Sequence, residues 1–118
     1  MRATSAVFLV LFAMLLAACS EPIPPEKIGY AGEWRSREMR LLITPEGHVE
    51  YQRREGSSSK SINAPIQRFE GDNFVVGIGV FNTTFVVSKP PYLDDGKWKM
   101  VVDGVELTRV NAFEGTRA

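Results

Sequence analysis

Residues 98–109, WKMVVDGVELTR, carry the clearest structural signal in the chain. Asp103-Gly104 is typical of a two-residue type I′ turn, because both central positions of that turn need a positive φ. The turn places Val102 opposite Val105, so that apolar side chains alternate onto one face and mostly polar ones onto the other. This alternation predicts a half-buried antiparallel hairpin.

The same patterns recur through most of the chain. Met39 to Thr44 and His48 to Arg53 flank Pro45-Glu46-Gly47, which predicts a hairpin with a type I turn and a glycine bulge. Glu55 to Ser61 is predicted to be a polar, flexible loop. From Cys19 on, no segment shows the apolar period of an amphipathic helix. We therefore predict an all-β fold, a small antiparallel β-barrel or sandwich of about seven to eight short strands.

Residues 1–18 differ in composition from the rest. Ala6 to Leu16 is an unbroken apolar run. Its length lies within the roughly 7–15 residues of a signal-peptide core and below the roughly 20 of a membrane-spanning helix. Arg2 is the only charge before the small residues Ala17 and Ala18. The segment is therefore predicted to be a signal peptide that is removed.

Leu16-Ala17-Ala18-Cys19 resembles the lipobox of bacterial lipoproteins, and the whole chain resembles small envelope lipoproteins of Gram-negative bacteria. In that family the peptidase cuts before the cysteine, whose sulfur carries a diacylglyceryl group and whose new amine is acylated. The resemblance implies lipidation of Cys19 and attachment to a membrane through that lipid. The alternatives are an ordinary secretory signal peptide, or a buried N-terminal helix with a core cysteine.

Ser20 bears on the localisation that the resemblance implies. Asp at that position retains such lipoproteins in the inner membrane, so Ser20 implies sorting to the outer membrane, on its periplasmic face rather than the cell surface. A host without an outer membrane would carry the protein on its cytoplasmic membrane.

These features divide the chain into four predicted parts. They are a signal peptide (1–18), a lipidated N-terminus with an extended, proline-rich tether (19–29), a β-domain (30–111) and a flexible tail (112–118). Prolines in the second part favour extended geometry over packing.

Gly32-Glu33-Trp34 is similar to the Gly-x-Trp that opens the first strand of lipocalins and related up-and-down barrels. The resemblance implies that Trp34 plugs the closed end of a barrel. Any cavity would be small, because the chain is shorter than a typical lipocalin. The simpler interpretation is that Trp34 is a core aromatic residue.

Two groups of residues are candidates for binding. The first is a candidate binding loop that mixes glycines with apolar and hydrogen-bonding side chains: Gly77, Gly79, Phe81, Asn82 and Tyr92. Its alternative interpretation is that Phe81 and Phe85 pack in the core. The second is a basic patch for an anionic envelope polymer or lipid head group, comprising Arg35, Arg37, Arg40, Arg53 and Arg54. Its alternative is a solvated strand face, since Glu33, Glu38, Glu50 and Glu55 are interspersed with these arginines.

No pattern points to catalysis, a metal or a cofactor. His48 is the only histidine and Cys19 the only cysteine, whereas a metal site needs several ligands. No nucleophile-elbow motif is present, so we do not expect an enzyme. The 14 basic and 14 acidic residues balance, which gives no electrostatic argument for nucleic acid.

The sequence therefore predicts a lipid-anchored binding module for a small ligand, such as an apolar molecule, or for an envelope protein. The alternative is a structural or assembly subunit, or an inhibitor of an envelope hydrolase. An apolar pocket would favour the small ligand, and a filled barrel with an exposed aromatic patch would favour the protein partner.

Overall fold

The computed structural model describes residues 21–112. The predicted signal peptide, Cys19 and residues 113–118 lie outside the described residues. A 3-10 helix, Pro25–Tyr30, precedes nine strands. They are β1 Gly32–Arg35, β2 Met39–Ile43, β3 His48–Glu55, β4 Ser58–Glu70, β5 Asn73–Ile78, β6 Phe81–Phe85, β7 Val87–Asp94, β8 Lys97–Val102 and β9 Val105–Asn111. The predicted all-β class is confirmed.

All nine strands form one antiparallel sheet that curls into a half-barrel, in the order β6-β5-β4-β3-β2-β1-β9-β8-β7. The edges β6 and β7 are joined by Val86 alone. Because neighbours alternate in direction along this order, β6 and β7 run the same way, and the chain passes directly from one edge to the other. At this crossing the backbone N–H of Val86 donates to Asp103 Oδ1 at 2.8 Å. The N–H of Asp103 donates back to the carbonyl of Val86 at 2.8 Å.

Both predicted hairpins are present, and the hairpin at Asp103-Gly104 has the register predicted for it. Val102 pairs with Val105, and Asp103 and Gly104 have φ of 49° and 78°, as a type I′ turn requires. In the other hairpin Ile43 pairs with Val49. Local turn chemistry is therefore sufficient to set these two registers.

The predicted loop from Glu55 to Ser61 is mostly strand instead. Glu55 pairs directly with Ser58, and Gly56, with φ of 61°, supports a tight turn. Composition predicted flexibility. The neighbouring strand, however, offers backbone hydrogen-bond partners, and polar residues form such backbone bonds as readily as apolar residues do. The first half of β4 therefore extends the sheet beyond the core.

Pro65 marks the point at which β4 changes partners. The residues from Ser58 to Pro65 pair with β3, whereas pairing with β5 begins at Ile66 and contains a register shift before Arg68. Since proline has no N–H for a ladder, it suits such a junction.

Side chains fill the inner face of the sheet. The largest fully buried ones include Trp34, Leu41, Ile43, Phe74, Phe85, Met100 and Leu107, and no described polar or charged residue is buried. Phe74 stacks on Phe85 with centroids 5.0 Å apart, and Tyr51 meets Phe85 edge-on at 5.0 Å. The half-barrel is thus a packed core and not an open apolar cavity.

The described end of the predicted tether differs from the extended geometry expected for it. Ile23 is buried and its N–H donates to the carbonyl of Pro45 at 3.0 Å. Tyr30, at the end of the 3-10 helix, is buried too, and its hydroxyl donates to the carbonyl of Asp72 at 2.8 Å. Apolar side chains between the prolines explain the difference, because burying them against the sheet removes them from water.

Candidate functional site: an arginine-rich cleft

Four polar residues lie in register across β1 to β4. Arg35 pairs with Arg40, Arg40 with Gln52, and Gln52 with Ser61. Directly opposite residues share a face of the sheet. The adjacent row contains the buried Trp34, so this polar row projects from the outer face.

This row lies beside an open cleft of about 530 Å³ at the ends of the four strands. Its lining is Arg35, Ser36, Arg37, Glu38, Met39, Arg40, Gln52, Arg53, Arg54, Ser59, Lys60 and Ser61. Six of these residues are basic and one is acidic. We call this feature the arginine-rich cleft.

Backbone and hydroxyl contacts hold the β1–β2 turn against β3. Ser36 Oγ accepts from the N–H of Met39 at 3.1 Å, and the N–H of Ser36 donates to the Met39 carbonyl at 2.8 Å. The N–H of Arg54 donates to the carbonyl of Glu38 at 2.9 Å, which continues the β2–β3 ladder into the turn. Arg37 in the turn is thereby brought near Arg54, although the two are far apart in sequence.

Glu33 anchors one wall of the cleft. Its carboxylate accepts from Arg35 Nε at 2.9 Å, Arg40 Nε at 2.8 Å and Asn111 Nδ2 at 2.8 Å. The hydrogen bond from Asn111, followed by those from Arg40 and Arg35, lowers the pKa of Glu33 to about 2. Since both arginines use Nε, their terminal nitrogens are left for solvent or a ligand.

The remaining basic residues divide into two kinds. Arg53 pairs with the buried Met39 and so lies on the inner face, with Nε 3.6 Å from Glu55. Arg37, Arg54 and Lys60 are exposed, and none of the three forms an ion pair with another described residue. Since Glu38 is the one carboxylate in the lining, these three cations leave the cleft with a net positive charge.

The cleft is suited to binding an anion. Planar guanidinium groups match carboxylate and phosphate oxygens in pairs, and serine hydroxyls and the Gln52 amide add neutral donors. Residues 21–112 contain no group of three or more His, Cys, Asp or Glu that could hold a metal ion. His48 lies at the other end of β3, where its Nε2 contacts Asn63 Oδ1.

The first four members of the candidate binding loop lie around the β5–β6 turn. Gly77 is buried within β5, and Gly79 is in the turn with φ of 60°. Phe81 is 83% exposed. The Asn82 side chain donates to Gln67 Oε1 at 3.3 Å and to the Gly79 carbonyl at 3.4 Å.

Tyr92 lies elsewhere. It is on β7, beyond the Val86 crossing, and its hydroxyl donates to Glu106 Oε2 at 3.3 Å. The structure therefore does not bring Tyr92 together with Phe81. Of the two phenylalanines that the alternative placed in the core, Phe85 is buried and Phe81 is not.

Trp34 is completely buried, and its indole N–H donates to the carbonyl of Tyr30 at 2.9 Å. The Arg109 guanidinium lies 6.0 Å from the Trp34 ring and 5.6 Å from the Trp98 ring. A Cβ at Gly32 would lie 2.8 Å from Arg109 Cδ. The glycine of Gly-x-Trp therefore makes room for an arginine that packs on two aromatic rings.

Sequence reasoning missed Ser59, Lys60 and Ser61 as lining residues, because it placed them in a flexible loop. Counting outward from a two-residue turn at Gly56 would have put Lys60 opposite Arg53. The glycine was therefore the available signal.

Among residues 21–112 no helix is both long and apolar enough to cross a membrane. No family model matches the chain, and comparison with curated proteins and with solved structures gives no match either. A function for this protein therefore has to be inferred from the geometry of the arginine-rich cleft.

Proposed function

We propose that the protein is a lipid-anchored, non-enzymatic binding module of the bacterial envelope. Its arginine-rich cleft would hold an anionic envelope polymer, one that carries carboxylate or phosphate groups. The observation that carries this proposal is that six basic residues from three segments of the chain line one cleft.

Charge balance within the cleft supports an anionic ligand. Glu33 and Glu55 partly compensate Arg35, Arg40 and Arg53, as expected of a solvated strand face. Arg37, Arg54 and Lys60 remain without such partners among the described residues. Clustered like charges repel one another, so bringing an anion into the cleft would relieve that repulsion.

The packed core argues against the other predicted ligand, a small apolar molecule. Trp34, Phe74 and Phe85 occupy the inner face, where such a ligand would have to lie. The cleft, by contrast, is open and lined mostly by polar groups. An extended polymer can lie along such a cleft without being enclosed.

The position of the N-terminus favours a polymer over the head groups of the protein's own membrane. The backbone of Glu21 packs so closely on Gly47 that a Cβ there would overlap it. Cys19 precedes Glu21 by two residues, within roughly 8 Å of chain. Gly47 and Arg54 lie at opposite ends of β3, roughly 20 Å apart along an extended strand. A lipid on Cys19 would therefore be attached near the end of β3 that is farther from the cleft.

Binding of defined polyanions tests the cleft. Detergent-solubilised full-length protein is titrated with polyglutamate and with inorganic polyphosphate. The Cys19→Ala protein, which lacks the anchor, is mixed without detergent with vesicles of anionic phospholipid. We expect binding to one of the two soluble polymers, weakened by salt because screening reduces exposed charge interactions. The better polymer identifies carboxylate or phosphate as the recognised group.

Two double variants locate the binding. Arg37→Ala with Arg54→Ala should weaken binding by about thirtyfold or more, since each charged hydrogen bond contributes roughly 1 kcal/mol or more and about 1.4 kcal/mol is a factor of ten. Lys89→Ala with Lys97→Ala removes the same charge outside the cleft and should leave the affinity within about twofold. Equal losses from both pairs, or binding to vesicles alone, would contradict the proposed site.

The anchor has its own test. Replacing Cys19 with Ala removes the sulfur that would accept the diacylglyceryl group. We expect the domain to leave the membrane fraction or the precursor to stay uncut. Unchanged membrane association with normal processing would refute lipidation without bearing on the cleft.

A further inference from the structure

The two edge strands of the sheet differ in how they resist pairing. β7 contains Lys89, Pro90 and Pro91 and has two register shifts against β8. Lysine, proline and irregular register are the devices by which proteins protect a sheet edge. β6 has none of them: it reads Phe81-Asn82-Thr83-Thr84-Phe85 and pairs with β5 in unbroken register.

The unprotected edge is also exposed. Residues 81–84 of β6 are all exposed, and only Phe85 is buried. Phe81 pairs with Ile78, which is 72% exposed, and Val80 in the turn is 88% exposed. The β5–β6 hairpin therefore carries an open strand edge and uncovered apolar side chains at the same place.

The sequence of β6 is close to symmetric about its centre. An antiparallel copy centred on Thr83 would place threonine opposite threonine, Asn82 opposite Thr84, and Phe81 opposite Phe85. Threonine pairs stabilise antiparallel strands when they lie directly opposite each other. β6 contains no charged residue, so the pairing would bring no like charges together.

We propose that β6 of one molecule pairs antiparallel with β6 of a second copy of this chain, across a twofold axis at Thr83. The pairing satisfies the backbone groups of the open edge and makes one sheet continuous across both copies. It also brings Phe81 of each copy beside Phe85 of the other, at the end of the packed core. The interface is independent of the arginine-rich cleft and of the nature of its ligand.

Cysteine crosslinking in intact cells tests the register. Thr83→Cys in the full-length protein should give a disulfide-linked dimer, because the two positions would lie within the 4.4–6.8 Å or so between Cα atoms that a disulfide allows. Thr84→Cys is the matched control: its two copies would be offset by two residues, at roughly 8 Å, too far to bridge. Co-expressed Asn82→Cys and Thr84→Cys chains should crosslink to each other.

The parent protein, whose only cysteine is Cys19, supplies the background for this experiment. Equal crosslinking of the Thr83→Cys and Thr84→Cys variants, or none of either, would overturn the proposed pairing. A Thr83→Cys disulfide to another protein would assign the edge to a foreign strand and refute the second copy as its occupant.

Charge substitution gives a second test. Thr83→Lys alone and Thr83→Glu alone should each sediment as monomers in detergent, because like charges would lie directly opposite each other. Mixing the two variants should restore a dimer. Dimers that persist in both single variants, or monomers throughout including the parent, would contradict the proposal.

Discussion

The β8–β9 and β5–β6 hairpins form through similar turn chemistry, but the first lies between two other strands and the second lies at an open edge of the sheet. Each has a two-residue turn that contains a glycine with positive φ, Gly104 in one and Gly79 in the other. The first is flanked by β7 on one side and β1 on the other, whereas the second has β4 on one side and no strand on the other. Turn chemistry makes a hairpin, but neighbours decide whether its apolar side chains are covered.

Truncating one apolar side chain in each hairpin should give the largest contrast. Leu107 is fully buried and Phe81 is 83% exposed. We expect Leu107→Ala to lower the free energy of unfolding by about 2–5 kcal/mol and Phe81→Ala to change it by less than about 0.5 kcal/mol. Urea denaturation followed by tryptophan fluorescence measures both. A large loss from Phe81→Ala in a dilute, monomeric sample would show that the hairpin tip is covered after all.

Adding one methyl group to a glycine in each hairpin should give an intermediate contrast. A Cβ at Gly77 would overlap the Phe81 carbonyl, and its φ is 153°, whereas a Cβ at Gly104 has nothing within 4 Å and its φ is 78°. Gly77→Ala should cost about 3 kcal/mol from clash and strain together. Gly104→Ala should cost about 1–2 kcal/mol from backbone conformation alone.

Thermal unfolding compares these glycine variants directly. Equal losses would mean that the clash at Gly77 is relieved by movement of β6, which the open edge would permit.

Glu33 links β1 to β2 and β9 by accepting hydrogen bonds from Arg40 and Asn111. Its contribution to the free energy of unfolding should depend on pH. Its pKa of about 2 in the folded protein is below the ordinary value near 4.3 of an unfolded chain. The stabilisation is therefore complete above that ordinary value and is lost as the pH falls towards 2. Glu33→Gln should lower the free energy of unfolding by about 1–2 kcal/mol at neutral pH. It should also reduce the fall in stability between the ordinary pKa and pH 2, which we call the acid limb of the pH profile.

The acid limb is measured by urea denaturation at a series of pH values. Asp94→Asn, which removes a carboxylate paired with Lys99 on the exposed face of β7–β8, is the control and should change that limb little. An unchanged pH profile in the Glu33 variant would contradict the lowered pKa.

The strands and turns were largely predictable, whereas the cleft was not. The two hairpins could be predicted from Asp103-Gly104 and Pro45-Glu46-Gly47, because the turn residues and the alternating strand residues are contiguous in sequence. Arg37 and Lys60 line one cleft only because the β1–β2 turn is hydrogen-bonded to β3 and β3 pairs with β4 as far as Glu55. Composition alone assigned Lys60 to a loop.

Alternation of apolar and polar residues in the chain determines an all-β fold with its two clearest hairpins, since period and turn type act over a few neighbouring residues. Tertiary structure decides the pairing of β1 with β9, the crossing of the chain at Val86 and the identity of the unprotected edge. The pairing of β1 with β9 joins segments that are distant in sequence, and the other two features depend on which strands come to lie at the two edges of the sheet. Backbone hydrogen bonds form between strands whatever their side chains are, so they do not by themselves select a partner strand. The burial of the shared core selects among such long-range pairings.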